Sequence, residues 1–200
     1  MAQCRTSETS GPTDALGRLK AALGEHAAGK GPPPVERWNP PFCGDLDMRI
    51  AADGTWFYMG TPIGRPALVK LFASVLRKDP DRYVLVTPVE RVGIAVEDVP
   101  FLAVEMAVDG EGRERRVAFR TNVDDLVEVG PDHPLRFDAD VTGAVKPYLR
   151  VRGDLWARLT RALTYDLIEL GEDRSAEGRP AEFGIFVRGA FYPVPYGEAA

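Results

Sequence analysis

Several residue patterns that announce a function class are missing from this chain. It has two cysteines and two histidines in 200 residues. Cys4 lies in a polar tail and Cys43 follows a proline-rich stretch, so no disulfide framework is expected. No CxxC, HxxxH or acidic loop of calcium spacing occurs, which leaves no candidate metal site. The glycine-rich loops GxxxxGK[ST] and GxGxxG are absent too, so a P-loop or Rossmann nucleotide enzyme is not expected. No cofactor is implied. No run approaches the roughly 18–20 consecutive apolar residues of a membrane helix. The start, Met-Ala-Gln-Cys-Arg-Thr-Ser-Glu, lacks the charged-then-apolar order of a secretory signal. A cytoplasmic chain without a membrane partner is the expectation. Its 25 Lys and Arg are scattered among 30 Asp and Glu, for a net charge of −5. With no basic face in view, nucleic acid is not an expected partner.

What is present suits a folded protein. Apolar residues make up 44% and aromatics 9%, enough for a core. Residues 13–28 carry Leu16, Leu19 and Leu23 at helical spacing, and a Gly/Pro-rich linker then runs to Pro34. Strands are predicted at 46–51 and 55–59 around Asp53-Gly54, a hairpin signal because both residues tolerate positive φ. Pro66 suits a helix start, and Leu68, Leu71, Phe72, Val75 and Leu76 extend one apolar stripe as far as Asp79-Pro80. Strands follow at 82–87, 91–96, 100–108, 114–121, 126–129, 135–139 and 147–151. A second helix is predicted over 154–170 from Leu155, Leu159, Leu163, Leu167 and Leu170, with Trp156 and Ala162 alongside. A charged loop at 171–181 leads to a last hairpin, Phe183 to Val187 and Ala190 to Val194, turning at Arg188-Gly189. Tight turns between short strands imply antiparallel sheets, and the class is α+β. Leu71 and Val75 recur 88 positions later as Leu159 and Leu163, so an internal duplication is one reading and chance recurrence of a common unit the other.

Seven ordered motifs carry a resemblance to the domain-of-unknown-function 1285 family of bacterial proteins. They are Trp38-Asn39-Pro40-Pro41-Phe42-Cys43-Gly44-Asp45, Asp53-Gly54-Thr55-Trp56-Phe57-Tyr58 with Thr61-Pro62-Ile63-Gly64-Arg65, and Tyr83-Val84-Leu85-Val86-Thr87-Pro88-Val89-Glu90. Val96-Glu97-Asp98-Val99-Pro100-Phe101, Phe119-Arg120-Thr121-Asn122, Asp132-His133-Pro134-Leu135 and Pro147-Tyr148-Leu149-Arg150-Val151-Arg152 complete the set. The resemblance implies two related domains, here 35–98 and 99–196 behind a leader of 1–34, the second loosely pleckstrin-homology-like. It also implies a cleft between them that takes a nucleotide-like ligand, and a signalling role. The chain departs from the family at Arg188-Gly189-Ala190, where a turn of smaller residues is usual.

Chemistry gathers at arginine. Tyr148, Arg150 and Arg152 share a strand face, and guanidinium forks match phosphate or carboxylate oxygens. Arg120 precedes Thr121-Asn122, and Arg65 precedes a helix start. One reading is a phosphate-binding cleft built from Arg65, Arg120, Arg150 and Arg152, with Asn122 fixing orientation. The other is a set of ordinary ion pairs with Asp98, Asp124, Asp125 or Asp154. Trp38 is a candidate stacking surface, whereas Trp56 and Tyr58 are expected in the core. Cys43 has only His26 and His133 as candidate bases, so a small buried thiol is expected and nucleophilic catalysis is not. The expected function is a ligand-binding regulatory module for an anionic, nucleotide-like small molecule. The alternative is a protein-interaction adaptor with no small ligand. An enzyme ranks last.

Overall fold

In Phe42–Ile50 (β1) the residues Leu46, Met48 and Ile50 alternate with Asp45, Asp47 and Arg49, and that period of two sends Met48 and Ile50 into the core. The computed structural model describes residues 33–175 and 181–195. The helix predicted over 13–28 lies outside them. The chain divides between Asp98 and Val99 into two units.

Unit 1 begins with β1, which turns at Asp53-Gly54 into Trp56–Tyr58 (β2), pairing Ile50 with Trp56 and Met48 with Tyr58. Gly54 has φ of 80°, and the Asp53 carboxylate accepts the Thr55 amide at 2.9 Å, which holds its pKa below the usual carboxylate range. Thr61–Pro62 (β3) closes this meander. The helix Pro66–Ser74 (α1) then lays Phe72 and Ala73 into the core. It stops two residues short of the apolar stripe, because Leu76–Asp79 (β4) is a strand paired with Arg82–Val86 (β5), which pairs in turn with Arg91–Val96 (β6). The sheet order is β3-β2-β1-β6-β5-β4, antiparallel throughout except for the parallel central pair β1 and β6.

Unit 2 repeats that order. Phe101–Asp109 (β7), Arg116–Thr121 (β8) and Leu126–Glu128 (β9) form one meander, and Leu135–Ala139 (β10), Val145–Arg152 (β11) and Leu155–Leu159 (β12) form another. They join by a parallel seam of β7 with β12, giving β10-β11-β12-β7-β8-β9. The second helix is therefore shorter than predicted: Leu155, Ala157 and Leu159 are a buried strand face, and only Arg161–Glu169 (α2) is helical. Glu172–Arg174 (β13), Glu182–Val187 (β14) and Ala190–Pro193 (β15) make a small third sheet, so the charged loop after α2 contributes a strand. Arg188 and Gly189 take positive φ of 50° and 75° in its hairpin turn, and their amides bond to the Arg115 and Arg113 carbonyls.

The two units are related, but not at the spacing of 88. β1 and β7 start at 42 and 101, which is 59 apart, and β6 and β12 start at 91 and 155, which is 64 apart. An offset of 88 lays α1 over β12. The helices hold different places, α1 between the meanders and α2 after the second.

Candidate functional site

Three neighbouring strands of unit 2 build one chemically distinct face. Leu149, Val151, Leu155, Ala157 and Leu159 turn into the core, which leaves Arg150, Trp156 and Arg158 on the other side. The register places Arg136 opposite Tyr148, Tyr148 opposite Arg158, and Arg150 opposite Trp156. Cross-strand partners of this kind share a face. The Arg136 guanidinium lies 4.8 Å from the Tyr148 ring centre and 4.6 Å from that of Trp156. Its ion pair with Asp138 spans 3.2 Å, with both side chains close to half exposed. The turn between β11 and β12 fixes the rest: the Gly153 carbonyl accepts the Arg150 Nε–H, and the Asp154 carboxylate accepts the Trp156 indole N–H at 3.0 Å.

The arginines singled out from sequence go to different ends. Arg120 is locked between carboxylates, donating Nε–H to Glu105 at 2.7 Å, Nη1–H to Asp124 at 2.7 Å and Nη2–H to Glu105 as well. That contact holds the Glu105 pKa below its usual value and pushes the Arg120 pKa up. Arg152 pairs with Asp125 at 2.9 Å and lies 5.2 Å from the Phe101 ring centre. A register shift separates it from Arg150, and the two guanidiniums take different partners. Asn122 is a staple: its Oδ1 accepts the Leu102 amide at 3.1 Å, while its own amide donates to the Leu102 carbonyl at 2.8 Å. Arg150 alone of the unit 2 set has no carboxylate partner among the described residues. The ordinary ion pairs foreseen as the alternative are thus what Arg120 and Arg152 form.

Arg65 and Trp38 belong to unit 1. Arg65 is exposed at the start of α1, where its side chain makes no capping bond. Trp38 is half-buried beside Arg37, Asn39, Pro40, Pro41, Pro88 and Val89, which line an open cleft of about 420 Å³. Its carbonyl accepts from the buried Arg77, which ties this segment to β4. Trp56 is 1% exposed and stacked on Phe72. Cys43 is disulfide-bonded and holds no free thiol, against the expectation of a buried thiol. No cluster of three metal-ligating side chains occurs among the described residues, and none of their helices is long and apolar enough to cross a membrane.

Sequence reading found Arg150 and Tyr148 by strand alternation, but missed Arg136 and misplaced Trp156. Arg136 reaches the site only through the β10–β11 register. Trp156 was assigned to a helix.

Comparison with known proteins agrees with this architecture. Residues 33–99 match the model "Domain of unknown function (DUF1285), N-terminal domain", and 100–194 match "Protein of unknown function (DUF1285), C-terminal domain". A crystal structure of a DUF1285 family protein from Silicibacter pomeroyi DSS-3 is 48% identical, with a TM-score of 0.78 over 88% of this chain and 96% of that one. A second, from Shewanella baltica OS155, is 30% identical over 62% of this chain and 91% of that one, with a TM-score of 0.49. No curated protein matches. With both halves matched in tandem, the chain belongs to the DUF1285 family.

Proposed function

We propose that this is a cytoplasmic ligand-binding module with a regulatory or signalling role, and that the β10–β12 face of unit 2 takes an anionic, nucleotide-like small molecule. The observation that carries the reading is Arg150, which has no carboxylate partner among the described residues and stands directly across from Trp156. A fixed cation beside an aromatic surface suits a molecule with a phosphate at one end and a flat ring at the other. Arg120, Arg152 and Asn122 then serve the fold rather than the ligand, and Arg65 and Trp38 stay as unit 1 candidates. We assign unit 2 a pleckstrin-homology-like architecture on the helix that follows the last strand of its main sheet. Neither nucleic acid nor a membrane is required, and no catalytic residue is assigned.

A thermal-shift screen over nucleotides and sugar phosphates tests this. At about a hundredfold excess over Kd a ligand adds about 2.7 kcal/mol of stability, or several degrees in Tm. Arg150→Ala should abolish the shift. No shift across the panel, or an equal one in the variant, overturns the proposal. The adaptor reading draws on a different observation: Leu126 is 79% exposed on the short edge strand β9. It predicts a protein partner whose capture is lost in Leu126→Lys and kept in Arg150→Ala.

A further inference from the structure

The Tyr148 and Trp156 rings are not bare. A single guanidinium, that of Arg136, lies within 5 Å of both ring centres, so both faces open on the volume it fills. We propose that Arg136 holds the stacking place of a planar ligand group and gives it up on binding, a competitor built into the site. This rests on the ligand-binding reading above and adds a role for a residue outside it.

Three observations support displacement. First, the tether is weak. Arg136 has one ion pair, to Asp138, at 3.2 Å with 46% and 47% exposure, and solvated pairs contribute little. The arginines that brace the fold look different: Arg115 is 11% exposed and binds the Gly112 and Leu170 carbonyls and Glu172, and Arg77 is 10% exposed with three acceptors of its own. Second, the surface beneath does not depend on Arg136. The Trp156 ring is held by Asp154 through its indole N–H, and Tyr148 is 5% exposed on β11, which is paired on both sides. A platform fixed in advance loses little freedom on binding. Third, β10 is the edge strand of its sheet, with no further strand of that sheet beyond it to confine the Arg136 side chain. Arg150 stays across from Trp156 to meet the phosphate.

The ligand class sharpens accordingly. A sugar phosphate would use Arg150 and leave Arg136 where it is, whereas a nucleoside phosphate would displace it. Calorimetric titration of the full chain with 5′-AMP, 5′-GMP, 5′-UMP and ribose 5-phosphate separates the roles. If Arg136 competes, Arg136→Ala binds the nucleotides about three- to tenfold tighter, the order expected from losing a cation–π competitor. Its affinity for ribose 5-phosphate does not rise. Because the variant removes a positive charge, simple electrostatics predicts the opposite sign. Weaker or unchanged nucleotide binding in Arg136→Ala, with binding by the parent chain intact, overturns the competitor role and leaves the site. Absence of binding by the parent chain and by Arg136→Ala sinks both. Arg136→Gln, which keeps a flat polar group, should fall between the two, and matching melting curves show that each variant is folded.

Discussion

Arg77 and Arg115 are each about nine-tenths buried, and each spends its guanidinium on backbone carbonyls and one carboxylate. Arg77 ties the chain at Val35 and Trp38 to β4. Arg115 ties the β7–β8 connection to Leu170 at the end of α2 and to Glu172 in β13. Truncation strands buried acceptors, at about 1–3 kcal/mol each. Arg115→Ala is therefore expected to lower stability by about 3 kcal/mol, read from the urea midpoint at unchanged m. Arg115→Lys should recover only part, since one ammonium cannot reproduce a planar fork. Asp140 makes a pH prediction. It caps the β10–β11 hairpin tip, and bonds from the Thr142 hydroxyl, the Thr142 amide and the Ala144 amide, with Lys146 nearby, lower its pKa to about 2. A carboxylate depressed in the folded state stabilises fully above its unfolded pKa of about 3.9, and that contribution fades as pH falls toward 2. NMR titration should place its midpoint near 2, rising in Thr142→Val. A midpoint at the ordinary value would refute the cap.

At the scale of elements, the informative cases are the two strands read as helix. Leu155 and Leu159 are four apart, a separation that returns to the same side in a helix and in a strand alike. What divides the cases is the residue between them. Ala157 is fully buried, as a strand requires, whereas a helix would turn it away from the Leu155–Leu159 stripe; Ala162, exposed on α2, serves as the control. Ala157→Asp should therefore cost about 3 kcal/mol or prevent folding, and Ala162→Asp should stay within about 0.5 kcal/mol. Comparable losses would refute the strand. β4 went unread for the same reason, because Val75 and Leu76 continue the helical period while Arg77 is buried as well. Two hairpins were legible where the turn demands positive φ, at Asp53-Gly54 and Arg188-Gly189, but those turning at Met59-Gly60 and at Gly153 were not. The site was legible only along a strand. Alternation exposed Arg150, while the approach of Arg136 to Tyr148 depends on which strand pairs with which.

At the scale of the molecule, both units follow one strand order, with the first and last strands of each six joined in parallel. Sequence periodicity could not show this, because the seams link segments far apart and the two helices occupy different places. All the ladders of unit 2 close within residues 101–193. A fragment of 99–195 is accordingly expected to keep its β circular dichroism and a cooperative melt; a featureless spectrum would show that its sheets need the first unit.

That seam also sets an order of events on the ribosome. Each six-strand sheet has its middle between the earliest and the latest of its strands, so β1 leaves the exit tunnel with one flank open and finds its neighbour only after β6 emerges, and β7 waits likewise for β12. Outer meanders can zip locally, but the centre closes last. Long-range pairing of this type folds in roughly milliseconds to seconds and leaves an unpaired edge on the nascent chain meanwhile. Synthesis rate and chaperone supply should therefore govern the soluble yield of this protein more than its final stability does.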